Sequence, residues 1–199
     1  NDVLQVSTIE AKSTRVTLAD IELVGLLAEL SESYRFASTT SIEILWDFPC
    51  DLPTMRTDEE KLRAVLQNLV NNSLKFTEQG SVTVAARWLR DSGVVEFKVA
   101  DTGIGIPADK IGTIFEMFQQ ADSTSTRGYG GVGLGLYIVK NFTEILGGDV
   151  AVVSAFGKGT TFTVTVPVTA DASAPSVETA TAVRTNELPP PSMDLLQSL

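Results

Sequence analysis

Two hydrophobic periodicities divide the chain. Apolar residues three and four positions apart predict amphipathic helices, and apolar residues at every second position predict half-buried strands. The first spacing predicts helices over residues 1–13, 20–36, 57–79, 107–118 and 134–146. The second predicts strands over residues 41–48, 81–90, 94–101, 149–154 and 160–166, and the last four of these form two hairpins. Few strand-helix-strand crossovers are implied, so the pattern predicts an α+β fold with helices on one face of a mixed sheet.

The strongest helical pattern follows Thr57, where Thr57-Asp-Glu-Glu60 fits a capping box. Asn68, Asn72 and Lys75 fall in a narrow sector beside its apolar face, where a half-buried amide or ammonium needs a polar partner. A solvated helix side with ordinary asparagines is the alternative interpretation. Asparagine is a mediocre helix former, so its presence at positions 68, 71 and 72 favours a binding edge. The apolar face comprises Leu62, Val65, Leu66, Leu69, Val70 and Ser73.

Composition and charge exclude several classes of site. Lys+Arg 15 against Asp+Glu 25 gives a net charge of −10, which argues against sequence-independent binding to nucleic acid. The chain has no histidine, and therefore neither a Ser-His-Asp triad nor a histidine metal site. Its one cysteine, Cys50, excludes an internal disulfide and is predicted to be a small buried residue near a strand end. No apolar run approaches the roughly 18 residues that span a bilayer, so we expect no membrane contact by this stretch.

Two glycine-rich segments favour ligand binding. Asp101-Thr-Gly-Ile-Gly-Ile-Pro107 follows a predicted strand directly. Its glycines let the backbone approach a ligand closely, and its aspartate can accept a hydrogen bond from an exocyclic amine. Gly128-Tyr-Gly-Gly-Val-Gly-Leu-Gly135 leads into the last predicted helix, whose first N–H groups suit phosphate. It is not a Walker A loop, and its context argues against a dinucleotide-binding loop. An ordinary turn and a flexible linker are the alternatives for the two segments.

The helix edge and the two glycine-rich segments together predict a nucleotide site. We expect the base at Asp101, the phosphates at the second glycine-rich segment and a metal ion near Asn72. Mg²⁺ is favoured because an acidic chain would otherwise repel a triphosphate. Mg²⁺ keeps water and phosphate oxygens among its ligands, so one amide oxygen from the protein is sufficient.

Five segments, in order, resemble the motifs of sensor histidine kinases. They are Asn68-Leu-Val-Asn-Asn-Ser-Leu-Lys-Phe-Thr77 (N-box), Asp101 to Pro107 (G1 box), Phe115-Glu-Met-Phe-Gln-Gln-Ala-Asp122 (F-box), Ser125 to Leu136 (G2 box) and Gly157-Lys-Gly-Thr-Thr-Phe162 (closing hairpin). The segment Gln119-Gln-Ala-Asp-Ser-Thr-Ser-Thr-Arg127 resembles that of hybrid kinases, and residues 4–12 resemble the end of the family's dimerisation hairpin. The resemblance implies the Bergerat fold: a two-layer α/β sandwich with a mixed sheet of about five strands, about three helices on one face and a mobile ATP lid.

The resemblance also implies roles for individual residues. Asn72 would coordinate Mg²⁺, and Asn68 and Lys75 would contact the phosphates. Asp101 would bind the adenine amine, in a pocket shaped by Gly103 and Gly105. The other implied ATP contacts are Arg127 and Tyr129 in the lid, Gly131, Gly133 and Gly135 at the phosphates, Leu136, and Thr160 in a water network around adenine. Phe115 and Phe118 would anchor the lid, although ordinary core residues are an equally good interpretation.

Two departures from the family pattern bear on function. Ser73 stands where the N-box usually has alanine, a change that we expect to be tolerated. The phospho-accepting histidine and its acidic neighbour lie in the family's dimerisation domain and are absent here, so no catalytic residue is assigned in this chain. We therefore expect the chain to bind ATP and to phosphorylate a histidine only in trans.

The same resemblance predicts the organisation of the chain and its partners. Residues 1–16 would end a dimerisation-domain helix, and 17–167 would form the ATP-binding domain. After residue 167 the composition shifts to Ala, Ser, Thr, Val and Pro, which predicts a flexible linker or disordered tail over 168–199. The implied partners are a histidine-containing dimerisation domain in a full-length homodimer and a response regulator or receiver domain. The implied location is cytoplasmic, with or without a membrane anchor elsewhere in the full-length protein. Alternatives are a nucleotide-sensing module without phosphotransfer, and a gyrase-type ATPase or serine kinase of the same superfamily.

Overall fold

The computed structural model describes residues 16–35, 41–116 and 134–169. These residues form seven strands, three α-helices and one turn of 3₁₀ helix at Arg90–Ser92. In chain order the strands and α-helices are β1 (Ala19–Glu22), α1 (Leu23–Ser33), β2 (Ile42–Asp47), β3 (Thr54–Thr57), α2 (Glu59–Phe76), β4 (Gly80–Leu89), β5 (Val94–Asp101), α3 (Gly135–Ile145), β6 (Asp149–Ala155) and β7 (Gly159–Pro167). The helix predicted over residues 1–13 and the tail after residue 169 lie outside the described residues.

Five strands form the central sheet in the order β2-β4-β5-β7-β6. The β2–β4 pair is parallel and the other three pairs are antiparallel, so the sheet is mixed, as predicted. The hairpins β4–β5 and β6–β7 are both confirmed. A separate two-stranded antiparallel sheet is formed by β1 and β3, in which Ala19 pairs with Thr57.

One face of the central sheet is covered by helices because alternate strand residues are apolar. Along β5, Val95, Phe97 and Val99 are fully buried, as expected when successive side chains point to opposite faces. Helix α2 lies against β4 and β5, and α3 lies against β6, β7 and α2. The predicted sandwich of helices on one face of a mixed sheet is therefore confirmed.

The start of α2 differs by one residue from the prediction. Its N-cap is Asp58, whose Oδ1 accepts a hydrogen bond from the backbone N–H of Lys61 at 3.1 Å. The capping box predicted at Thr57 is therefore wrong. Thr57 is instead the last residue of β3, and its buried hydroxyl has no hydrogen-bond partner among the described residues.

Three other predictions are corrected. The helix predicted over 20–36 begins at Leu23, because Ala19–Glu22 pairs with β3. The helix predicted over 107–118 is a series of turns as far as it is described, with hydrogen bonds three residues apart such as Lys110 N–H to Pro107 O at 2.9 Å. Cys50 is exposed rather than buried, because it lies in a turn after β2.

The described part of the chain contains no helix that is long and apolar enough to cross a lipid bilayer.

Candidate functional site

The carboxylate of Asp101 is fixed by three separate parts of the fold. It stands at the end of β5, opposite Thr160 of β7. Its Oδ1 accepts hydrogen bonds from the backbone N–H groups of Gly103 at 3.0 Å and Thr160 at 3.1 Å. Its Oδ2 accepts one from the hydroxyl of Ser73 on α2 at 3.2 Å. Burial raises the pKa of the Asp101 carboxyl above its ordinary value, while these three hydrogen bonds act in the opposite direction.

The loop after Asp101 is held between the end of α2 and the β6–β7 hairpin. The backbone N–H of Ile104 donates to Phe76 O at 3.1 Å, and the N–H of Gly157 donates to Ile104 O at 2.7 Å. A Cβ atom at Gly103 would lie 2.2 Å from Phe76 O. Gly105 has a φ of +67°. A Cβ atom there would lie 2.1 Å from the carbonyl oxygen of Ala155. Both positions therefore require glycine.

A second polar group, Ser154 of β6, ties the same loop to β7. Its hydroxyl accepts from the N–H of Ile106 at 2.7 Å and donates to Gly159 O at 3.0 Å, and it lies 3.0 Å from the hydroxyl of Thr160. Thr160 thus contacts Asp101 through its backbone and Ser154 through its side chain. Ser154 was not predicted to be a site residue, because a serine in an alternating strand has no distinguishing pattern.

The start of α3 lies against the predicted polar edge of α2. A Cβ atom at Gly135 would be 3.1 Å from Asn68 Oδ1 and 3.4 Å from Asn72 Nδ2. Both asparagines are half-buried, as predicted, and Asn68 Nδ2 donates to Ala64 O at 2.8 Å. The N-cap position of α3 is Leu134, which provides no side-chain hydrogen bond, so the capping group that commonly satisfies the first N–H groups of a helix is absent there.

The remaining predicted residues either lie on α2, on α3 or in the turns after β5, or lie outside the described residues. The Nζ atom of Lys75 is 5.0 Å from the ring centroid of Phe76, and Leu136 is half-buried in the first turn of α3. Phe115 packs edge-on against Phe162 at 6.3 Å, which is a core contact. Outside the described residues lie Phe118, Arg127, Tyr129, Gly131 and Gly133.

An open cleft of about 270 Å³ lies beside the loop that follows Asp101 (residues 102–107, the glycine loop). Its lining includes Glu78, Thr102 and Gly103, and it does not include Asn68, Asn72 or Asp101. Among the described residues, no cluster of three or more acidic or cysteine side chains could hold a metal ion. A divalent cation at the polar edge of α2 would therefore need water and ligand oxygens in addition to an amide oxygen.

The fold is a two-layer α/β domain in which α2 contacts the Asp101 carboxylate through Ser73 and the start of α3 through Asn68 and Asn72. Residues 57–170 match the family model described as histidine kinase-, DNA gyrase B- and HSP90-like ATPase. The chain belongs to this family.

The chain is similar to parts of several sensor histidine kinases. The autoinducer 2 sensor kinase/phosphatase LuxQ of Vibrio vulnificus is 39% identical over 175 residues, covering 84% of this chain and 20% of LuxQ. The circadian input-output histidine kinase CikA of Synechococcus elongatus is 38% identical over 171 residues, covering 84% and 22%. The aerobic respiration control sensor protein ArcB of Escherichia coli is 34% identical over 202 residues, covering 98% and 25%. The chain thus spans about a fifth to a quarter of these relatives.

Solved structures of histidine kinases are also similar to this chain. Full-length ShkA in complex with AMPPNP superimposes with a TM-score of 0.72 at 39% identity, covering 84% of this chain and 34% of ShkA. The mycobacterial sensor histidine kinase MprB superimposes with a TM-score of 0.62 at 25% identity, covering 76% of this chain and 97% of the MprB chain. The resemblance to a histidine kinase ATP-binding domain is confirmed, and so is the two-layer fold that it implies, whereas the predicted ATP lid lies outside the described residues.

Proposed function

We propose that this domain binds ATP with Mg²⁺ and presents the γ-phosphoryl group to a histidine on a dimerisation domain. The observation that carries the proposal is the Asp101 carboxylate, held by donors from Gly103, Thr160 and Ser73 at the glycine loop. A carboxylate held in this way can accept a hydrogen bond from the exocyclic amine of adenine. The AMPPNP bound in the ShkA structure, at 39% identity, supports the choice of nucleotide.

The phosphates are assigned to the junction of α2 and α3. Asn68 and Asn72 lie against Gly135, at a helix start whose N–H groups favour an anion. Asn72 would supply its amide oxygen to Mg²⁺, which would neutralise the charge that develops on the phosphates. Lys75, Arg127, Tyr129, Gly131, Gly133 and Leu136 complete the proposed ATP contacts.

The chain contributes position and charge stabilisation to the transfer. The acceptor imidazole nitrogen forms a bond to the γ-phosphorus as the bond between that phosphorus and the leaving oxygen of ADP breaks. The imidazole proton passes to the acidic neighbour of the acceptor histidine on the dimerisation domain. The chain itself has no histidine, so the acceptor must come from elsewhere.

The proposed partners follow from this division of labour. They are the histidine-containing dimerisation domain of the full-length homodimer and a response regulator or receiver domain that takes the phosphoryl group from the histidine. Because ATP is the substrate, we place the domain in the cytoplasm.

Labelled ATP tests the proposal. The chain is incubated with Mg²⁺, [γ-³²P]ATP and a separate histidine-containing dimerisation domain of the same full-length protein, and we expect an acid-labile label on that partner. Asp101→Asn should lower ATP affinity at least about 100-fold, because the amide presents a donor where the adenine amine needs an acceptor. Asp91→Asn, at an exposed turn between β4 and β5, is the matched control and should bind ATP normally.

Three other outcomes would contradict the proposed function or the proposed site. ATP binding without transfer to the cognate domain would favour a nucleotide-sensing module. Steady hydrolysis of ATP in the absence of any acceptor would favour a gyrase-type ATPase. Unchanged ATP affinity of Asp101→Asn by calorimetry would show that the base binds elsewhere.

A further inference from the structure

The hydroxyl of Ser73 makes a hydrogen bond to a residue outside its own helix. It lies in the last turns of α2 and is 2% exposed. A serine within a helix commonly donates its hydroxyl to a backbone carbonyl one turn earlier. Here the hydroxyl reaches out of the helix to Asp101 Oδ2 on β5, at 3.2 Å. The hydroxyl therefore connects two elements at the carboxylate that is proposed to recognise the base.

The acceptor positions of Asp101 explain what this contact does. An ionised carboxylate has about four acceptor positions, two on each oxygen. Oδ1 receives the N–H groups of Gly103 and Thr160, which fills both of its positions. Oδ2 receives Ser73, so that one position on Oδ2 remains within the part of the chain that the structure describes.

The orientation of that last position depends on Ser73. The torsion that turns a carboxylate about its Cβ–Cγ bond is broad, so contacts to one oxygen alone leave the plane of the group loosely defined. A donor on the second oxygen sets the plane. It also stabilises the ionised form of a carboxyl group whose pKa burial raises.

We propose that Ser73 is a positioning residue for base recognition: its hydroxyl orients Asp101 so that the remaining acceptor position on Oδ2 meets the 6-amino group of adenine. This inference rests on the proposed function and deepens it. Ser73 acts through Asp101. A role limited to joining α2 with β5 would change the stability of the domain and would affect every nucleotide equally.

Titration of two proteins with two nucleotides separates these two roles. The full 199-residue chain and its Ser73→Ala variant are titrated with ATP and with purine riboside triphosphate, which lacks the 6-amino group. We expect Ser73→Ala to weaken ATP binding about three- to tenfold, which is less than the loss of a direct hydrogen bond to a charged group, because Ser73 acts through Asp101. Binding of purine riboside triphosphate should change less than about twofold, because that ligand has no amine to meet the carboxylate.

Two further variants serve as controls. Ser73→Cys keeps nearly the same volume and replaces the hydroxyl with a weak donor, so it should show the same selective loss if the hydrogen bond is responsible. Thr143→Val removes a buried hydroxyl of α3 that has no hydrogen-bond partner among the described residues, and it should leave the affinity for both ligands unchanged.

The outcomes distinguish this inference from the proposed function. If the unaltered chain binds ATP but Ser73→Ala and Ser73→Cys bind it equally well, Ser73 has no positioning role. An equal loss for both ligands would assign a structural role and would also overturn the inference. If the unaltered chain binds no ATP, the proposed function itself fails, and this is evident before any variant is compared.

Discussion

At the scale of single residues, Gly103 and Gly105 show why the loop after Asp101 needs glycine. Their alternating spacing led us to expect close approach of the backbone to a ligand. The structure adds a second reason, since both glycines are pressed against backbone carbonyl groups of the protein, at Phe76 and Ala155. Tight packing on α2 and on the β6–β7 hairpin therefore places the N–H of Gly103 where it can donate to Asp101.

The first prediction concerns Gly105→Ala. Its φ of +67° is a left-handed conformation that is unfavourable for alanine, and the added Cβ would lie 2.1 Å from Ala155 O. We expect the free energy of unfolding to fall by about 2–4 kcal/mol, from backbone strain and overpacking together. ATP affinity should also fall, because relief of the clash moves the loop that holds Asp101. Urea unfolding and calorimetry measure the two effects.

Gly112→Ala is the matched control for that substitution. Gly112 has no positive φ, and no atom lies within 4 Å of an added Cβ. The free energy of unfolding of the Gly112→Ala variant should differ from that of the unaltered chain by no more than about 0.5 kcal/mol. Equal stability of the two variants would contradict the strain that we assign to Gly105.

Single residues also mark the limit of prediction from sequence. Asn68, Asn72 and Asp101 were identified because each interrupts an otherwise regular pattern. Ser73 was expected only to be tolerated, because it fits the apolar face of α2 and nothing in its surroundings along the chain indicates a partner. That partner, Asp101, is 28 residues away and is brought close only by the packing of α2 on β5.

At the scale of elements, a buried ion pair fixes the start of α2. Asp58 and Lys61 are 3% and 6% exposed, and Lys61 Nζ lies 3.0 Å from Asp58 Oδ2. The same oxygen accepts the backbone N–H of Thr17 at 2.8 Å, and Lys61 Nζ is 5.7 Å from the ring centroid of Phe142 on α3. The pair thus joins the segment before β1 to α2 and α3.

The second prediction is the pH dependence of this pair. Burial alone would raise the pKa of Asp58, but hydrogen bonds from Thr17 and Lys61 and the nearby ammonium outweigh it and lower the pKa. A lowered folded pKa means that the stabilisation is present above the ordinary value of about 4 and is lost as the pH falls through the folded value. Asp58→Asn should therefore cost about 2–4 kcal/mol at pH 7, because it removes the carboxylate that pairs with the buried Lys61 ammonium, and progressively less below about pH 4.

Urea unfolding of both proteins at several pH values checks this expectation. Asp20→Asn is the control, because Asp20 pairs with Arg56 at 3.4 Å with both side chains more than half exposed. Such a surface pair contributes about 0–1 kcal/mol. A cost of Asp58→Asn that stayed constant from pH 7 to pH 3 would show that the ion pair does not stabilise the fold.

Elements differ in how far the sequence predicts them. The strands of the two hairpins are long and alternate clearly, and α2 and α3 have continuous apolar faces, so each was predicted nearly to its ends. Strands β1 and β3 have only four residues each and were missed. Their pairing, Ala19 with Thr57 to Glu22 with Thr54, joins distant parts of the chain, which local periodicity does not indicate.

At the scale of the whole molecule, β3 forms backbone hydrogen bonds with segments near both ends of the described chain. On one side it pairs with β1, and on the other Arg56 N–H donates to Val168 O at 2.8 Å, with Thr169 in a parallel bridge to Arg56. Val168 N–H also donates to Gly93 O at 2.9 Å. The domain boundary that we predicted after residue 167 follows a shift in composition, and composition does not reveal these backbone hydrogen bonds.

The last prediction tests whether the fold needs these two residues. A chain ending at Thr169 keeps both hydrogen bonds of Val168, whereas a chain ending at Pro167 loses them, together with the packing of Val168 on the core. At about 1 kcal/mol for each bond, the shorter chain should be about 2 kcal/mol less stable. For a domain of this size its Tm should then be about 4–8 °C lower by calorimetry. The chain ending at Thr169 should melt within about 1 °C of the full chain, because the tail that it lacks was predicted to be flexible and should add little stability. Each kcal/mol shifts Tm by about 2–4 °C. If the two shortened chains melted together, the pairing of β3 with Val168 and Thr169 would make no contribution to the stability of the domain.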